Sequence, residues 1–205
     1  SFIDSPFNLQ YYKPGDFSTE VGYMGCRTRV MGNHVDPDKA ITPGRGNLSF
    51  TSINLPRLGI KYGIATKQRE KADMKGFYEA LDELLELVKD QLLERFEVQC
   101  NKRVYNFPFL LGQGVWIDSE KLKNTDRLRK VLKHGTLSIG FIGLAECLKA
   151  LIGEHHGESD KAQKLGLEII GHMRQKCDEY SDKYNLNFTC LATPAEGLSG
   201  RFVAI

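Results

Sequence analysis

GTLSIGFIGLAECLKALIG, residues 135–153, changes periodicity midway. Its first part, Thr136–Ile142, is a β-like run and predicts a strand. Its second part predicts a short helix ending at Gly153, where glycine accepts the left-handed conformation that closes a helix. A strand feeding directly into a helix is the unit of an α/β fold, provided that it recurs.

It recurs on both sides. Upstream, Leu48–Leu55 (LSFTSINL) is full of β-formers and predicts a strand. From about Lys67 to Gln99 the period becomes helical, with Phe77, Leu81, Leu84, Leu85, Val88 and Leu92 three or four apart. That stripe is core packing rather than a membrane or partner face. Downstream, Leu165, Ile169, Met173, Cys177, Tyr180 and Tyr184 mark another amphipathic helix, and Leu186–Ala192 (LNFTCLA) an apolar strand. Between these, VYNFPFLLGQGVW (104–116) reads as extended and aromatic, since Pro108 excludes a regular helix through it. Asp118–Lys133 reads as a short surface helix. The first sixty residues are rich in Gly, Pro and Asn and read as short extended segments around one substantial loop. The order strand, helix, strand, helix, strand predicts an α/β architecture in a single domain, with no internal repeat.

Composition bounds the function. The chain has 205 residues, 41% hydrophobic and 26% charged, which are the proportions of an ordinary globular domain. A net charge of +2 supplies no general field for nucleic acid or an anionic membrane. No apolar run approaches the roughly 20 residues needed to span a bilayer. The N-terminal SFIDSPFNLQYY has no signal-peptide pattern, and the chain starts without Met, so a processed chain or an excised fragment is expected. The cysteines, Cys26, Cys100, Cys147, Cys177 and Cys190, are odd in number and form no C-x-x-C pair. This argues against a disulfide framework or a cysteine-rich zinc site and fits a reducing cytosol.

Five stretches are candidates for chemistry. YMGCRTRV (23–30) places Cys26 after a glycine in a loop, where a structural thiol and a reactive one are both consistent with the sequence. GRGNLSFTSINLPR (44–57) sets Asn47 at the mouth of a strand: either a loop-closing turn, or an amide that hydrogen-bonds a substrate hydroxyl without bringing charge. GTLSIGFIGLAE lacks the G-x-G start of a dinucleotide fingerprint, so its glycines favour close helix–strand packing. TPAEGLSGR (193–201) follows a strand and offers Thr193, Gly197, Ser199, Gly200 and backbone N–H groups to a phosphate, although Glu196 would repel one unless turned aside. GEHHGES (153–159) favours a helix end with capping residues over a metal site, because adjacent histidines diverge on either regular element.

Taken together and in order, YMGCRTRV, GRGNLSFTSINLPRLGI, NFPFLLGQG, GTLSIGFIGLAE, GEHHGES and NFTCLATPAEGLSGRF resemble the anaerobic (class III, glycyl-radical) ribonucleoside-triphosphate reductases over nearly the whole chain. The resemblance implies the second half of a ten-stranded α/β barrel, with a central finger loop at about 22–47 and the half-barrel strands and helices at 48–205. It implies that Cys26 becomes a transient thiyl radical that takes the 3′ hydrogen of a ribonucleotide, after which the 2′ hydroxyl leaves as water. Asn47 matches the asparagine near the ribose hydroxyls, and Met24 matches the form that uses formate as reductant. The turn carrying Thr193, Ala195, Gly197, Leu198, Ser199 and Gly200 would hold the substrate phosphates.

A thiol that gives up a hydrogen atom must start neutral, so Arg27 and Arg29 are expected to point away from its sulfur. The protein's part in such chemistry is to shield and position the radical. No cofactor is expected on this chain itself. A complete enzyme is implied to need a glycyl radical, formate, ATP and deoxynucleotide effectors, and zinc in segments the chain lacks. It is also implied to need a radical-SAM iron–sulfur activating enzyme, to be a homodimer, and to be cytoplasmic, with no membrane or nucleic-acid partner. By itself the chain is expected to be inactive. Two other readings stand beside this one: a glycyl-radical enzyme of the formate-lyase type, and a non-catalytic nucleotide-binding half-barrel.

Overall fold

The computed structural model describes residues 12–16, 19, 32–40, 43–195 and 197–198, with the backbone alone of 23–24 and 28–29. Tyr23–Met24 (β1) and Thr28–Arg29 (β2) pair antiparallel, Tyr23 opposite Arg29 and Met24 opposite Thr28. The chain connecting them is residues 25–27. Cys26 and the side chains of Met24, Arg27 and Arg29 lie outside the described residues.

The elements that follow are β3 (Asn47–Asn54), α1 (Leu55–Tyr62), α2 (Met74–Cys100), α3 (Arg129–Leu132), β4 (Thr136–Ile142), α4 (Leu144–Ile152), α5 (Asp160–Tyr184) and β5 (Asn187–Ala192). Strands β3, β4 and β5 form one parallel sheet in that order, which establishes a mixed α/β fold. The middle strand, β4, is buried at every position but Phe141, as a strand covered on both faces must be.

The chain divides into two compact units, which the strands and the long helices pass through in turn. The first holds Ser1–Ser49, Leu92–Leu137 and Tyr180–Phe188; the second holds Phe50–Gln91, Ser138–Glu179 and Thr189–Ile205. The core of the second unit takes Phe77, Leu81 and Leu85 from α2, Ile169, Met173 and Cys177 from α5, and Ile139 from β4. The first unit's core gathers Leu92, Phe96 and Cys100 of α2 with Trp116, Leu128 and Val131. Trp116 is anchored by its indole N–H, which donates to the Val131 carbonyl at 2.9 Å. Of the predicted α2 stripe, Leu84 alone is partly exposed.

Helix α1 has no counterpart in the sequence reading. Asn54 caps it by accepting from the Arg57 N–H at 3.2 Å, and Pro56 suits the first turn, where no N–H partner is needed. Gly59 within it and Gly63, which caps its end, let it lie directly on α4. A Cβ at Gly59 would stand 2.6 Å from the Cys147 carbonyl oxygen, and one at Gly63 would stand 2.1 Å from that of Ala150. The N–H groups of Ile64 and Ala65 then donate to the same Ala150 oxygen at 2.9 and 3.1 Å.

Two expectations need correction. Residues 104–116 are not extended: Val104–Asn106 is a 3-10 turn, and Leu111 and Gln113 donate back to the carbonyls of Phe107 and Phe109 at 3.0 and 3.3 Å. Pro108, which bars a long helix, still suits the start of a single turn because its φ is already helical. The expected helix over 118–133 is only the 3-10 turn Ser119–Lys121 and the four-residue α3, separated by a turn in which the Asp126 carboxylate accepts from the Lys123 N–H at 2.9 Å. In GEHHGES the capping role is seen: Ser159 accepts from the Ala162 N–H at 3.2 Å at the start of α5. Among the described residues no helix is long and apolar enough to cross a membrane.

Candidate functional site

Asn47 is the first residue of β3 and belongs to the first unit, and what holds it comes from the start of β4. The Thr136 hydroxyl donates to Asn47 Oδ1, and the Thr136 N–H donates to the Gly46 carbonyl at 2.9 Å. One step back, the Arg45 guanidinium reaches across with Nε to the His134 carbonyl at 2.9 Å and with Nη2 to the Gly32 carbonyl at 2.8 Å. Arg45 is only 6% exposed, and burial lowers its pKa to about 10, which still leaves it charged at neutral pH.

Around Arg45 lies a buried polar network. His134, 1% exposed, sets Nδ1 at 3.1 Å from Asn33 Nδ2 and Nε2 at 3.5 Å from Asp118 Oδ2. Asn187, at the start of β5, donates to Asn33 Oδ1 at 3.2 Å and to the Lys133 carbonyl at 3.2 Å, and accepts from the His34 N–H at 2.7 Å. Asp118 accepts from Lys121 at 2.6 Å and Lys39 at 2.5 Å, and these two bonds hold its carboxyl down at about 2. Burial is the main cause that lowers the His134 pKa, with Lys133 adding to it. The network ties Gly32, Asn33, His34, Lys39 and Arg45 to the residues at the entrances of β4 and β5.

This network fixes a direction for acid stability. His134 takes up a proton less readily folded than unfolded, so its contribution is complete above its ordinary value of 6.5 and is lost as pH falls below it. Asp118 has the same sign at lower pH: its contribution is present above 3.8 and is lost as pH falls toward about 2. Urea midpoints measured against pH are therefore expected to drop in two stages on acidification. In Asp118→Asn the lower stage should flatten, and an unchanged lower stage would remove Asp118 from the account.

The second unit carries the turn after β5. The Thr193 N–H continues the ladder to the Phe141 carbonyl at 3.0 Å, and Thr193 Oγ1 lies 2.6 Å from Ser52 Oγ. Gly140 fits between them, since a Cβ there would stand 2.2 Å from Thr193 Oγ1 and 2.6 Å from Ser52 Oγ. Nearby, the hydroxyls of Ser138 and Thr189 pair at 2.9 Å. Alternation along the strands puts Ser52 and Thr189 on the face opposite Thr51 and Cys190. Thr51 bonds Gln91 of α2, and Cys190 bonds Cys177 of α5, so the helices cover one face and a row of small hydroxyls lines the other.

Beyond Thr193 the chain bends at Ala195, whose φ is +40°, and the Leu198 N–H donates to the Ala195 carbonyl at 3.0 Å, with Gly197 and Leu198 exposed. Ser199, Gly200, Arg201 and Glu196 lie outside the described residues. The sequence reading missed Thr136, Ser138, Ser52 and Thr189. Their signal was small hydroxyls at alternate positions of otherwise apolar strands.

Of the other cysteines, Cys100 and Cys147 are buried, with thiols pushed up to about 11 and 12 by desolvation. Cys177 is also buried, and its hydrogen bond with Cys190 and its burial both raise its pKa. These are packing thiols of helices and sheet.

The family model described as anaerobic ribonucleoside-triphosphate reductase matches residues 2–205. The anaerobic ribonucleoside-triphosphate reductase of Salmonella typhimurium is 31% identical over 191 residues, covering 92% of this chain and 25% of its own length. That of Escherichia coli is 29% identical with the same coverage. The chain thus spans about a quarter of the length of the curated relatives it matches. The crystal structure of the anaerobic ribonucleotide reductase from Thermotoga maritima shares the fold with a TM-score of 0.51 at 15% identity, covering 76% of this chain and 26% of that one.

Proposed function

The chain belongs to the anaerobic ribonucleoside-triphosphate reductase family, and on that premise we propose that it supplies part of a catalytic barrel converting ribonucleoside triphosphates to deoxyribonucleoside triphosphates. The observation that carries this reading is the family match over residues 2–205, which takes in all the motifs at once. In it, Cys26 takes the 3′ hydrogen of the sugar as a thiyl radical. Asn47 hydrogen-bonds the ribose hydroxyls, the 2′ oxygen leaves as water, and formate supplies the two electrons beside Met24. The turn from Thr193 to Gly200 receives the phosphates. The pairing of β1 with β2 on either side of residues 25–27 supports a hairpin that carries Cys26 at its turn. The row of hydroxyls on the sheet supports a face that tolerates a polar ligand.

The rest of the machinery belongs to the same proposal. A glycyl radical supplied outside these residues would generate the thiyl. A radical-SAM iron–sulfur activating enzyme, nucleotide effectors, zinc and a second copy of the reductase would complete the assembly, with the second half of a ten-stranded barrel as the architecture around the finger loop.

Asn47→Ala in the complete reductase tests the reading. Loss of a preorganised hydrogen-bond donor at a reacting centre costs on the order of 100-fold in turnover. Deoxynucleotide formation should fall by that order while nucleotide still binds. Turnover equal to the parent enzyme would remove Asn47 from the reaction.

A further inference from the structure

We propose that Thr136 is a positioning residue for Asn47: its hydroxyl holds the carboxamide oxygen, so that the amide presents its Nδ2 donor to the nucleotide. The inference rests on the reading of Asn47 as the residue facing the sugar, and adds to it which end of the amide does so and what decides the choice.

A carboxamide has two chemically opposite ends, an oxygen that only accepts and a nitrogen that only donates. Its terminal torsion is broad and roughly two-fold, so the backbone alone does not choose between them. A neighbour must choose. Thr136 is 3% exposed, and its Oγ1 donates to Asn47 Oδ1. As a β-branched residue its χ1 is stiff, so the hydroxyl keeps one direction.

The backbone around this bond is equally constrained. The Thr136 N–H holds the Gly46 carbonyl at 2.9 Å, and Arg45 holds the His134 carbonyl at 2.9 Å. Gly135 lies so close that a Cβ would stand 2.6 Å from Leu48 Cγ and 3.0 Å from the Gly46 oxygen. Residues 45–47 are thus laced to residues 134–136 rung by rung, and the hydroxyl bond is the rung that reaches the candidate site. With its oxygen engaged by Thr136, Asn47 is set to serve the ligand through its donor end, which suits an acceptor such as the oxygen of a ribose hydroxyl.

The test uses the complete reductase and four variants: Thr136→Val, which keeps the shape and removes the donor, Thr136→Ala in case valine does not fold, Thr136→Ser, which keeps the hydroxyl, and Asn47→Ala. One net hydrogen bond corresponds to about tenfold in rate. Thr136→Val or Thr136→Ala should lower kcat by about that factor with KM nearly unchanged, and Thr136→Ser should restore most of it. If Asn47→Ala lowers turnover on the order of 100-fold while the valine, alanine and serine variants all behave alike, the positioning role is wrong and the site reading stands. If Asn47→Ala itself turns over normally, both fall.

Discussion

Replacing Cys26 by serine in the complete reductase is expected to abolish deoxynucleotide formation and to leave nucleotide binding intact. The chemistry requires a group that gives up a hydrogen atom readily, takes one from a sugar carbon, and returns it at the end. A thiol does this because its S–H bond is weak; the far stronger O–H bond of serine does not yield its hydrogen to the same radical donor. The substitution is small and loses little packing, so binding measured by nucleotide titration should persist. Full loss of turnover with retained binding is the expected pair of results. Retained turnover would make Cys26 a structural thiol and favour a nucleotide-binding half-barrel instead. Cys100, Cys147 and Cys177 do not compete on this chain, because they are packed into its core.

The largest expected stability effect lies far from that chemistry, where α1 meets α4. Adding one methyl at Gly59 places it 2.6 Å from the Cys147 carbonyl oxygen and 2.9 Å from the Cys147 Cα. These are backbone atoms of a helix and cannot swing aside as a side-chain tip does. Overpacking of this kind costs about 2 kcal/mol or more. In a chain of this size that lowers the melting temperature by roughly 4–8 °C. Gly171 is the control, since a Cβ there meets nothing within 4 Å and the residue lies inside helix α5. Gly171→Ala should raise stability slightly, by up to about 1 kcal/mol. Thermal melts of the two variants side by side check the pair; equal melting temperatures would mean that α1 does not lie against α4 in this way.

Much of the fold was legible because it depends on local periodicity. Thr136–Ile142 reads as a strand and forms one, and the α2 and α5 stripes become core except at Leu84, Leu165 and Tyr184, which are half-buried. Helix α1 was illegible for a physical reason: LPRLGIKY holds a glycine and a proline, both poor in intrinsic propensity. Its helicity comes from the Asn54 cap and from packing on α4, and packing is not written in the eight residues themselves. Residues 104–116 were misread because Pro108 excludes a long helix without implying an extended chain.

The candidate site divides the same way. Asn47 and the Thr193 turn carry motifs that a sequence displays, whereas the groups around Asn47 come from distant positions. Arg45 meets His134 across 89 residues, and His34 meets Asn187 across 153. No local pattern announces such pairs. A buried arginine between two glycines was the nearest clue, and its partners, backbone carbonyls, leave no mark on composition.

The most direct measurement is a structure of the complete reductase with a ribonucleoside triphosphate bound. The sulfur of Cys26 should lie within near-attack range of the sugar's 3′ carbon, about 3.5 Å. Asn47 Nδ2 should be hydrogen-bonded to a ribose hydroxyl and the Thr193–Gly200 turn should be on the phosphates. A nucleotide seated elsewhere, with that sulfur on an outer surface and Asn47 facing only protein, would contradict the account.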